Sequence, residues 1–177
     1  MALFAEGILK LHWDQSVPVN LARIAKKMGV AVALSDSLEA CVCIDISAHN
    51  HARITIGTRH PLLSQRYGVA QALGHRALHH LRPGTGLVLQ VAGDFKADHS
   101  QRIHSEAHQF ALALMIPASV LAYSVCDMRV GDLQALAHLF HGSAGDFGKG
   151  AAAQPLKEPA DERNGKHQPH VAQGFLF

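Results

Sequence analysis

Three proline-bearing breaks, at Pro61, at Arg82-Pro83-Gly84 and at Pro117, divide the middle of this 177-residue chain into separate helical lengths. Proline has no amide hydrogen to give a helix interior, and it restricts the residue before it, so helices begin after it or end before it. The pattern predicts one helix from Pro61 to about Leu81 and a second over about Ser100–Met115. A third, about Asp132–His141, carries Leu133, Leu136, Ala137 and Phe140 at helical spacing. Upstream, residues 3–13 read as a first helix with Leu3, Ile8 and Leu11 on its apolar side. Leu21, Ile24, Ala25 and Met28 form another, entered at Asn20 as N-cap and stopped by Gly29. Between the helical parts, Ala31–Ser35, Cys41–Ser47 and Ala52–Gly57 alternate as strands, and Gly86–Ala92 is a loop or short strand. The expected class is α+β, a small antiparallel sheet with several helices, spanning residues 1–141. Beyond Gly142 the composition turns to Gly, Ala, Pro, Gln and charge, which predicts a poorly ordered tail over 142–177.

With 48% hydrophobic and 17% charged residues, the chain has enough apolar material for one core. Its net charge of +2 is small and scattered, which argues against a direct nucleic-acid surface. No run of about 18 apolar residues is present, so no membrane span is expected. Three cysteines, Cys41, Cys43 and Cys126, with no secretory leader before them, suggest reduced thiols in a cytoplasm. Strand spacing puts Cys41 and Cys43 on one face, where apolar packing outweighs metal binding.

The unusual count is 14 histidines. Two stretches give them meaning. Arg66-Tyr67-Gly68-Val69-Ala70-Gln71-Ala72-Leu73-Gly74-His75-Arg76-Ala77-Leu78-His79 resembles the active helix of the ImmA/IrrE zinc metallo-endopeptidases, R-F-x-x-A-H-E-L-G-H-x-x-L-H. The stretch Ala107-His108-Gln109-Phe110-Ala111-Leu112-Ala113-Leu114-Met115-Ile116-Pro117 resembles that family's second helix. The resemblance covers about residues 3–141 and implies a zincin-like metallopeptidase domain. Active relatives of this kind cleave a helix-turn-helix repressor and so switch on phage, mobile-element or stress genes.

An H-E-x-x-H helix works because positions i and i+4 share a face, so two imidazoles reach one zinc while the glutamate deprotonates the attacking water. Here His75 keeps the second ligand position. Gln71 stands at the first, where a neutral amide oxygen is a poor zinc donor. Ala72 stands at the base position and accepts no proton, a loss worth about 10² to 10⁴ in rate. The resemblance places the family's metal-binding glutamate on His104, not Glu106, and residues two apart on a helix cannot face one ion.

Three readings follow. The histidines are polar relics of an old cleft; or His75, His104 and His108 hold zinc with an open fourth position; or another base, with Asp98 and Glu106 nearest, supports hydrolysis. His79, four residues after His75, is a further candidate ligand. Arg66 is either a helix-start charge or an anchor for a partner. The residues 132–143 match only the first helix of a helix-turn-helix motif, so packing is its expected role. The reading they support together is a degenerate peptidase-like protein that binds a regulator or another protein. Its alternative is an active zinc endopeptidase with a rebuilt histidine site.

Overall fold

The computed structural model describes residues 1–89 and 100–140. The tail expected over 142–177, the candidate base Asp98 and the end of the strand expected to reach Ala92 lie outside them. Helix α1 spans Ala2–His12. It buries Ala5 and Leu9 and packs Ile8 against the core, while Leu3 and Leu11 are 80% and 75% exposed. The apolar side expected for it is therefore rotated. The helix turns its small Ala5 inward, and bulk alone pointed the other way. Helix α2, Leu21–Lys27, starts as expected: the Asn20 side chain accepts from the Arg23 amide at 2.9 Å. Gly29 closes it with φ +71°, a conformation open to glycine because it has no Cβ.

Strands β1 (Val30–Ser35), β2 (Val42–Ile46), β3 (Ala52–Gly57) and β4 (Thr85–Leu89) form one sheet in the order β1-β3-β2-β4. β2 runs antiparallel to both β3 and β4, but β1 and β3 are parallel, so the sheet is mixed. The β2–β3 hairpin folds back through a turn closed by Ser47 and His51 and inserts β3 beside β1. Alternation along each strand specified the faces but not the neighbours. Ile44, Ile46, Ile54 and Ile56 all point to the buried face.

Helix α3, Leu62–Ala77, lies across that face. Its Gly68 sits so close to β2 that a Cβ there would stand 2.6 Å from Val42 Cγ2. The Cys41 sulfur faces this helix, whereas Cys43 shares the outer face of β2 with Asp45. The two thiols do not share a face after all, because Cys41 precedes the strand. Helix α4, Ser100–Met115, packs on α3 and on α1. Short α5 (Ala118–Ala122), a π-helical turn (Tyr123–Asp127) and α6 (Leu133–Phe140) complete the described chain. Among the described residues no single helix is long and apolar enough to cross a membrane.

Candidate functional site

The site is made where the end of α3 meets the first half of α4. The two helices approach closely because Gly74 has no side chain: a Cβ there would stand 3.0 Å from Phe110 Cδ1 and 3.1 Å from the Ala107 carbonyl. Val69, Ala70, Ala72 and Leu73 fill the core beneath them. Ala72 is fully buried, Gln71 is 9% exposed and His75 is completely buried.

Helix α3 ends four residues earlier than its sequence suggests, and the ending shapes the site. Leu78 caps it, and His79 takes φ +55°. The His80 amide then donates to the His75 carbonyl at 3.0 Å, and the His79 amide to that of Arg76 at 3.3 Å. These two bonds are the 6→1 and 5→2 pair of a Schellman ending, with His79 in the left-handed position that glycine usually takes. His79 thus leaves the helix and is exposed, so its expected i+4 partnership with His75 is lost. The reversal instead carries His80 back over His75.

The side chains follow. His75 Nδ1 and His80 Nδ1 are 3.2 Å apart, and His80 Nε2 lies 3.2 Å from Glu106 Oε2. Glu106 Oε1 accepts from Arg102 Nε at 2.9 Å. A carboxylate only accepts, so the His80 Nε2–H donates to it. With both rings neutral, His80 Nδ1 must then accept from the Nδ1–H of His75. In that tautomer His75 Nε2 is a bare lone pair, and in either tautomer this atom is buried with no hydrogen-bond partner. The His104 ring stands beside it, centroid to centroid 5.1 Å.

Burial, reinforced by any charge on His80 and His104, pushes the His75 imidazole down to about 3. Burial and His80 also lower His104. The Arg102 hydrogen bond, with help from His80, holds the Glu106 carboxyl below the usual range. His75 is therefore a neutral ring at any ordinary pH.

Of the candidate ligands, the fold brings His104 to His75 and turns His108 elsewhere. His108 Nδ1 is hydrogen-bonded to the Tyr67 hydroxyl, and the two rings meet edge-on. Tyr67 precedes His75 by two helical turns, about 12 Å along the axis. Among the described residues no three of His, Cys, Asp or Glu form a group that could hold a metal ion. Sequence reasoning gave His80 no role of its own and weighed Glu106 only as a base. It treated Glu106 as facing away from His104, which is so, but a hook in the chain places His80 on the flank that Glu106 does face. Only the left-handed residue at 79 creates that hook, and a histidine there gives no local signal.

A mixed sheet crossed by α3, with α4 supplying the facing side chains, is the architecture of a peptidase-like α+β domain. Residues 15–147 match the sequence model of the M78 peptidase family, the IrrE N-terminal-like domain, and the chain belongs to that family. No curated protein matches the chain. The fold is thus that of a small zincin-like peptidase. Its donor set does not fit a resident catalytic zinc: one bare imidazole nitrogen on His75, a neighbouring His104, an amide at Gln71 and a methyl at Ala72. No hydrolytic step through a metal follows from these residues.

Proposed function

We propose that this chain is a catalytically degenerate ImmA/IrrE-type protein that binds a protein partner in the cytoplasm without cutting it. The partner class is a transcriptional regulator of a phage, mobile-element or stress system, the kind of substrate the family's active members take. The observation that supports this reading is Ala72: a fully buried methyl packed in the apolar core stands where the resemblance to the family's active helix puts the general base. Recognition and cleavage are separable, because a surface can hold a peptide with no nucleophile activated beside it.

A second reading, a zinc endopeptidase with a rebuilt site on His75 and His104, draws on the unpartnered His75 Nε2. A lone pair held by a carboxylate-anchored partner is how metal-ligating histidines are supported. Elemental analysis of the purified full-length protein separates the two. The degenerate reading expects zinc far below one per chain. Zinc at unit stoichiometry with cutting of a helix-turn-helix repressor would overturn it. Gln71→His combined with Ala72→Glu is expected to gain zinc that the native chain lacks. No gain would mean that the placement of His104 is disabling as well.

A further inference from the structure

Strand β1 is an edge of the sheet, and among the described residues β3 is its one pairing partner. Among the described residues no strand meets the backbone donors and acceptors of its other edge. On the face that carries the helices, Val32 is 37% and Leu34 60% exposed, although both alternate with the buried Val30. Beside Val32 lies a hollow lined by Leu21 and Ala22 of α2, Ile56 of β3, and Arg66 and Val69 of α3. Natural edge strands are normally blunted by charge, proline or a bulge. Residues 30–35 contain none of these.

The charged side chains of α2, the helix packed on β1, are all basic. Helix α2, which packs on β1, exposes Arg23, Lys26 and Lys27. Arg23 stands 3.6 Å from Asp14; among the described residues neither lysine has an ion-pair partner. Arg66, in the wall of the hollow, donates from Nη2 to the Val19 carbonyl at 2.9 Å, while its buried Nε has no partner. The acids nearby, Asp36 and Glu39, lie past the other end of the strand, and Asp36 already accepts from Thr58.

We propose that the free edge of β1 takes an extended segment of a partner protein as an added strand. The segment carries acidic side chains beside α2 and Arg66 and apolar ones along Val32 and Leu34. Main-chain pairing supplies the affinity in such an addition, and the side chains on one face supply the selection. The site is separate from the His75 turn, Arg66 standing nine residues earlier on α3, so it serves an active and an inactive peptidase fold equally.

The test uses the full-length chain, isotope-labelled, and a seven-residue peptide. One face of the peptide carries two glutamates then two valines, the other face threonine. Amide shifts confined to β1 and α2 are expected, with binding weakened about tenfold when the glutamates become lysines, equivalent to roughly 1.4 kcal/mol. Leu34→Lys should abolish binding with an unchanged melting temperature, because Leu34 is exposed. Shifts elsewhere, equal binding of both peptides, or no binding up to about a millimolar would overturn the proposal. So would slow exchange, in the free protein, of those β1 amides that point away from β3. If that protection fades on dilution, a second copy covers the edge; if it does not, another part of the chain does.

Discussion

His75 and Ala72 lie three residues apart on one helix and fared differently. Ala72 became core, whereas His75 remained a polar group in a dry place and had to find a partner. A buried donor left without one costs about 1–3 kcal/mol. His80→Ala is therefore expected to destabilise the protein by roughly that amount, read by urea denaturation, because it strands the Nδ1–H of His75. Glu106→Gln should do less, since an amide oxygen still accepts from His80. The same burial makes stability depend on pH. The folded His75 titrates at about 3 and the unfolded one near its ordinary 6.5, so between these values the unfolded chain holds the extra proton. Stability is then full above about pH 6.5 and falls as the pH drops toward 3, by up to about 1.4 kcal/mol per unit for this one group. Unfolding free energies measured across that window check it. A His75→Phe variant should show a shallower decline.

The helices were legible where their signals are local. Asn20 acts through its side chain on the turn that follows, and Gly29, Pro61 and Pro117 act through their own backbone; the starts of α2 and α3 and the end of α4 follow them. The end of α3 was not legible, because a Schellman ending at His79 uses a residue that usually avoids φ above zero. Holding a side chain there costs about 1–2 kcal/mol relative to glycine. His79→Gly, at an exposed position, is expected to raise stability by about 1 kcal/mol in thermal or chemical denaturation, even though glycine loosens the unfolded chain. The rotation of α1 was equally hidden. Leu3, Ile8 and Leu11 make a plausible stripe, but packing against α4 selected the narrower face with Ala5 and Leu9.

In the molecule as a whole, apolar burial and the His75–His80–Glu106 chain hold α3 on α4. A resident metal would stabilise the fold by mass action and its removal would lower the melting temperature. Treatment with a strong chelator is expected to leave the melting temperature unchanged; a drop of several degrees would favour the rebuilt zinc site. What residue order determined was whatever depends on one stretch of backbone: helix entries and strand alternation. What tertiary structure decided was every relation between stretches. It set β1 beside β3 in parallel, separated His108 from His75 and bent His80 onto Glu106. The physical reason is range: caps and periodicity act within a few residues, whereas these pairings join atoms distant along the chain, and only the packed core brings them within reach.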